Sequence, residues 1–358
     1  MRILGDVIAT EGQFLTIRDL DNGGADLGVN SNDGTVVLDD DIRAVRLVDA
    51  GIDSEVSFQS GTRLNDVTLA IDSAVSAPIS SQTSITVHNG LTLEGSDFAL
   101  EGTTFNRTTV TFQGDQIIGG NGVILLSDVN AIESRSALNT LTFAGVSGLA
   151  ETFSIADGIT IQGAGTVSAS LGAGDIIDLE GRVIADNGFL GWNAQFIGSS
   201  YTLGATDDGR LSFSQDLTLT TTTDLELGFG VQTHGRFDVT GETTLAGDLS
   251  LDLVAGATDA LSLGDEFRVF VSRDGFTGQF DTLNGFDFTG ENGFALIEDG
   301  NSIFLRVVGD AQVGQFLQRG DLPVDPDLPD IARNLADVTL DVALIGGTVG
   351  EVLSLIHI

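Results

Sequence analysis

GRFDVTGETTLAGDLSLDL (Gly235–Leu253) decides how the whole chain is read. Gly235, Gly241 and Gly247 recur at a spacing of six. Between them apolar side chains alternate with polar ones: Phe237 and Val239, then Leu245, then Leu249, Leu251 and Leu253. Alternation with a period of two describes a strand with one buried face, and glycine turns the chain where other residues would be strained. Leu249 and Leu251 are therefore expected inside, with Asp248, Ser250 and Asp252 in water. Short strands cut by glycine at near-equal intervals describe a chain wound into coils, each stacked on the last. From Leu261 the rhythm changes to longer, Phe-rich strands. In ALIEDGNSIFLRV (Ala295–Val307), Asp299–Gly300 sits between two alternating runs, which is a hairpin signal. A lid is required there, because an open final coil exposes a sheet edge and an apolar core.

Outward from this stretch the same winding covers residues 83–188, where short Val/Ile/Leu/Phe runs alternate with turn glycines from Gly90 to Gly181. Residues 1–80 are less regular, with strands such as Phe14–Ile17 and Thr35–Leu38 separated by the acidic turns Asp19–Asp26 and Asp39–Asp41. Three strands per coil of roughly 20 residues would give about 15 coils and a rod of order 70 Å.

Composition agrees with an all-β chain. Of 358 residues 41% are apolar, too many for a disordered acidic tail despite a net charge of −37. All 15 basic residues are arginine. Such a charge repels phosphate backbones and anionic lipid, which argues against nucleic acid as a partner. The absence of cysteine removes disulfides and thiolate chemistry together. MRILGDVIAT is neither a signal peptide nor a membrane span, since Asp6 breaks its apolar run. Its strand-like start and the patternless LSLIHI (Leu353–Ile358) mark the chain as an expected fragment, its last residues an expected artefact.

The runs RLNDVTLAIDS, ITVHNGLTLEGSDFAL, TTVTFQGDQIIGGNGVILL, LNTLTFAG, ETFSIADGITIQGAGTVSA and IIDLEGRVIAD, from about Arg63 to Ala185, make the chain similar to secreted bacterial parallel β-helix proteins. That family includes surface adhesins and autotransporter passengers. Ser134–Asn139 departs from its pattern, while Gly264–Phe270 and Gly275–Leu283 resemble its closing segment. The fold expected is a right-handed parallel β-helix (a β-solenoid), with coils over residues 1–260 and a hairpin lid over 261–309. A Pro/Asp-rich linker over 310–330 follows, then a truncated segment over 331–358 with a short helix. The resemblance implies a non-catalytic structural or adhesion protein at the outer surface of a bacterium. It would be a monomeric rod meeting an extracellular surface, matrix or polysaccharide, and touching a membrane only through a missing anchor or barrel. The rival reading is a carbohydrate-active β-helix enzyme, a polysaccharide lyase or glycoside hydrolase.

Few residues offer chemistry. His88, His234 and His357 lie far apart and suit chance strand or surface positions better than a ligand set. No nucleotide-binding or hydrolase motif occurs. Asp157, Asp175, Asp178 and Asp186 could line one face beside Arg182, as acids do in polysaccharide-acting enzymes, although acids are also the default outward residue here. Asp19, Asp21, Asp26, Asp39, Asp40 and Asp41 offer hard oxygens for calcium, against the plainer reading as solvated turn residues. Asn106-Arg107-Thr108 is a formal glycosylation sequon, uninformative if the source is bacterial. No cofactor other than calcium is expected.

Overall fold

In the computed structural model the three strands of the deciding stretch lie on three different faces of one coil. Arg236–Val239 pairs in parallel with Arg210–Phe213. Thr243–Leu245 lies between Leu217–Thr218 and Phe276–Gly278, and Asp248–Leu253 pairs with Thr223–Phe229 and Thr282–Asn284. The three glycines are the corners, for different reasons. Gly247 has φ +72°, a left-handed conformation. Gly235 and Gly241 have ordinary φ, but a Cβ on them would press into backbone of the previous coil: 2.7 Å from the Thr206 carbonyl oxygen and 2.7 Å from the Asp216 amide respectively.

The structure describes residues 1–321 apart from 4, 32–33, 52–53, 77–81, 103–105, 128–138, 147, 260 and 288–291. Residues 1–319 form one compact unit, an all-β solenoid of about 12 turns, with no α-helix among the described residues. Within the linker expected over 310–330, Phe316–Gln318 forms a strand paired with Asn292–Asp299, and residues 322–330, like the helix expected near Asp330, lie outside the described residues. At ~4.8 Å per turn the stack is roughly 55–60 Å long. The turns are fewer than the expected 15 because corners carry insertions. The shortest step of the first face runs from Val56 to Ser73 and the longest from Ile124 to Ile161.

Each coil visits a first, a second and a third face in turn. Parallel, in-register pairing places like positions above one another, so alternation along a strand becomes columns along the axis. On the first face the inward column runs Val36, Val56, Ser73, Phe98, Ile124, Ile161, Val183, Leu203, Leu225, Leu249. On the second it runs Ile85, Val110, Leu141, Val167, Trp192, Phe213, Val239. On the third it runs Val45, Val67, Leu91, Ile118, Ile155, Leu179. All of these are buried, and the apolar ones belong to one core reaching from Val7 to Val307. Leu249 and Leu251 are buried and Asp252 exposed, while Asp248 and Ser250 are partly covered.

Outward columns differ by face. The first face carries Glu55, Asp72 and Asp97 low in the stack and Arg182, Asp224 and Asp248 higher up. The second face carries two uncharged columns, Ser84–Thr109–Thr140–Thr166 and Thr86–Thr111–Thr142–Ser168.

Parallel winding continues past Leu261: Glu266–Ser272, Phe276–Gly278 and Thr282–Asn284 complete one more coil. The closing element is the antiparallel hairpin Asn292–Asp299/Ser302–Gly309, with Gly300 at φ +59° in its turn. Its second strand pairs antiparallel with Glu266–Ser272 and so occupies that strand's free edge. Phe294 packs 5.0 Å from Phe229 between ring centroids, and Phe267 lies 4.9 Å from Phe229, filling the end of the core. Arg319 binds Glu266 and Asp299 and stacks over Phe304 at 5.1 Å.

Candidate binding groove

The corners joining the first face to the second lengthen up the stack, through residues 186–188, 206–209, 230–235 and 254–265. Between these overhangs and the first face lies a recess of about 560 Å³, open beside Ile184, Gly204, Glu226 and Ser250. A second recess of about 460 Å³ adjoins it around the corner, and both are lined by Asn187 and Asp207. Together they form one bent groove. Its floor depends on absent side chains: a Cβ on Gly204 would come 2.5 Å from Ile184 Cδ1, and one on Gly228 would come 2.7 Å from the Thr206 backbone.

The polar lining comes from two equivalent corners one coil apart, Ile184-Ala185-Asp186-Asn187-Gly188 and Ala205-Thr206-Asp207-Asp208-Gly209. The Thr206 hydroxyl lies 3.0 Å from Asp186 Oδ1, 3.2 Å from Asp208 Oδ1 and 3.4 Å from the Ala185 carbonyl oxygen. It has one proton for three acceptors, so carboxylate lone pairs remain for an incoming donor. Gln162 donates to Asp186 at 2.9 Å, and the Thr233 hydroxyl reaches Asp207 at 3.4 Å.

Around the corner the charge changes. Arg210 and Arg236 sit on successive coils and share one carboxylate, Asp238, which is only 9% exposed. Arg236 binds it through Nε at 2.9 Å and Nη2 at 2.6 Å. Arg210 also lies over the Phe189 ring at 5.7 Å, a cation–π contact. His234 closes this end, its Nε2–H donating to the Arg268 carbonyl at 3.2 Å. Burial holds the His234 pKa below the usual imidazole value, with the Arg268 carbonyl opposing and Arg236 adding to the fall. The arrangement offers carboxylate acceptors, a guanidinium pair and one ring within a single groove, which suits a polyhydroxylated ligand better than a phosphate or an apolar one.

The expected acidic sets are dispersed. Of Asp157, Asp175, Asp178 and Asp186, only Asp186 reaches the groove. Asp157 is an exposed corner, Asp175 accepts from the Gly172 and Glu151 amides at 2.7 and 3.0 Å, and Asp178 sits on the third face opposite Ile197. Arg182 binds Glu226 at 2.7 Å. The low-numbered aspartates are tied up locally. Asp26 binds Arg46 at 3.1 Å, Asp39 binds Arg18 at 2.9 Å, and Asp41 lies between Arg43 and Arg63. Asp21 accepts from the Gly23 amide at 3.2 Å, and Asp19 and Asp40 take the left-handed conformation of tight turns. Among the described residues no group of three or more His, Asp or Glu side chains converges as a metal site would require. His88 lies half-buried on the second face, its pKa lowered by burial and by Arg63 against the opposing pull of Asp41. His357 lies outside the described residues.

Sequence reasoning missed Thr206, Asp207, Asp208, Phe189, Arg210 and Arg236. A signal was present, since ADNG and ATDDG recur about one coil apart. The chain matches no protein-family model, and no curated protein matches it significantly.

Proposed function

We propose that this protein is a non-catalytic β-solenoid spacer or adhesion stalk of an outer bacterial surface, built as autotransporter passengers are. The observation that supports the reading is the continuity of the buried columns through about 12 turns to a closed end. Every coil is hydrogen-bonded to its neighbours, so the stack holds a fixed length without a hinge in its core. The charge of −37 keeps such a rod soluble and discourages rod-to-rod contact. The partner of a stalk of this kind is an extracellular surface, matrix or polysaccharide.

The groove from Asp186 to Arg236 favours a second reading, a polysaccharide-acting site. Incubation of the purified protein with neutral and acidic polysaccharides separates the two. The stalk reading expects no release of reducing ends and no unsaturated uronide. Turnover that disappears in both Asp186→Asn and Asp208→Asn would overturn it in favour of the enzyme.

A further inference from the structure

The uncharged grid on the second face has a regularity that strand propensity alone does not require. Threonine suits any outward strand position, yet the outward columns of the first face are mixed, Asp72 and Asp97 giving way to Val123 and Thr160 in one while Ala74, Ala99 and Leu125 fill the other, and the third-face pair Thr68–Thr92 gives way to Gly119 in the next coil. On the second face hydroxyl residues occupy two neighbouring outward columns through four consecutive coils, from the pair Ser84 and Thr86 to the pair Thr166 and Ser168, while the column beside them carries Gln113, Ala144 and Ser170. With 52 acidic residues in the chain, none falls on these eight positions. The buried column Ile85–Val110–Leu141–Val167 holds the strands from below, and stacking keeps a solenoid face flatter than an open twisted sheet.

The grid repeats at ~4.8 Å along the axis and ~6.6 Å along each strand. Water with tetrahedral hydrogen bonds of about 2.75 Å has second neighbours about 4.5 Å apart and a layer repeat of about 7.3 Å. Across four coils the axial mismatch accumulates to about 1 Å, within the reach of side-chain adjustment. Threonine is stiff at χ1, so each rung presents hydroxyl and methyl in a limited set of directions. Thr142 and Ser168 also bond each other at 3.1 Å, which leaves each with acceptor capacity facing water. We propose that this grid is a binding face for crystalline water, the surface of ice. A neutral lattice of donors and acceptors matches an uncharged partner that is itself only donors and acceptors. The proposal does not rest on the stalk reading and stands or falls separately.

Partition into ice tests it. The purified whole chain, fluorescently labelled, is mixed with albumin and frozen slowly onto a cold finger. The protein should enter the ice near its bulk concentration while albumin is excluded. Thr111→Lys with Thr142→Lys, at the centre of the grid, should lower incorporation tenfold or more. Thr68→Lys, outward on the third face, should leave it unchanged, with melting curves showing each variant folded. Exclusion of the unaltered protein to the same degree as albumin overturns the proposal. Undiminished incorporation of the folded double variant overturns its assignment to this face.

Discussion

The second-face grid from Ser84 to Ser168 and the corner groove from Asp186 to Arg236 stand on one continuous core and share almost no surface chemistry. Beneath the grid the column is Ile85, Val110, Leu141, Val167; beside the groove it is Val183, Leu203, Leu225, Leu249, and all eight are buried. Outside, one region is neutral and hydroxylated, while the other is recessed and carries carboxylates and arginines. The difference teaches that a solenoid separates its two tasks. Inward positions are fixed by the column above and below, and outward positions and corner lengths can vary coil by coil at little cost to the fold.

The largest expected effect tests the shared core. Leu141→Asp beneath the grid and Leu225→Asp beside the groove each bury a carboxylate without a partner, costing about 4 kcal/mol or more. Their outward neighbours Thr142→Lys and Asp224→Asn should each change stability by less than about 0.5 kcal/mol. Denaturant melts that show inward and outward changes to be equal would break the comparison, because the register would be wrong.

Next comes the closed end. Phe294→Ala removes a ring packed on Phe229 and should cost about 3–4 kcal/mol. Hydrogen exchange should then accelerate in the groove coils before the grid coils, since the groove lies nearer the lid. Uniform acceleration would show that the lid does not protect locally.

Much of this was legible in the sequence. Period-two alternation alone places Phe237, Val239, Leu249 and Leu251 inward, and its dipeptide alone marks the Asp299–Gly300 turn, because both signals are local. The coil count was not legible, because corner insertions such as residues 254–265 consume chain without adding a turn. The groove was not legible either. It exists because Gly204 and Gly228 leave space beneath corners contributed by different coils, and that juxtaposition depends on register across the stack. The hard oxygens of Asp19 to Asp41 offer a cation site or solvated turns on sequence alone, and the arginines that decide it for three of the six come mostly from neighbouring coils: Arg46 on Asp26, Arg18 on Asp39, and Arg63 with Arg43 of the same strand on Asp41.

A smaller effect concerns Arg236. Arg236→Gln leaves Asp238 to Arg210 alone and should lower stability by about 1 kcal/mol, discounted because the guanidinium is partly exposed. The grid contains no ion pair, so salt should change the cost of Arg236→Gln and leave that of Thr142→Lys nearly constant. An Arg236→Gln penalty that is unaffected by salt would mean the arginine acts through packing.

The smallest effect is the pH response of His234. Burial lowers its folded pKa below the unfolded value of about 6.5, so the unfolded state binds more protons as pH falls. The stability of a neutral His234 is full above pH ~6.5 and is lost as pH falls through the folded pKa. Glu55 and Asp97 act in the opposite sense. Burial first, then neighbouring carboxylates including Asp72, raises their pKa values, so protonation on acidification gains stability. Thermal midpoints of His234→Gln and the unaltered protein between pH 7.5 and 5.5 separate the contributions. The difference between the two should shift in favour of the variant as pH falls, and a constant difference would show that folding leaves the His234 pKa unchanged.

The length of the solenoid is a property of stacked, interchangeable coils. Deleting residues 183–224, two register steps from Val183 to Leu225, removes two turns and joins equivalent points of the first face. Small-angle X-ray scattering of the deletion variant against the unaltered chain measures the consequence. The maximum dimension should be shorter by about 10 Å with an unchanged cross-sectional radius. A changed cross-section, or a variant that no longer folds into a rod, would contradict it.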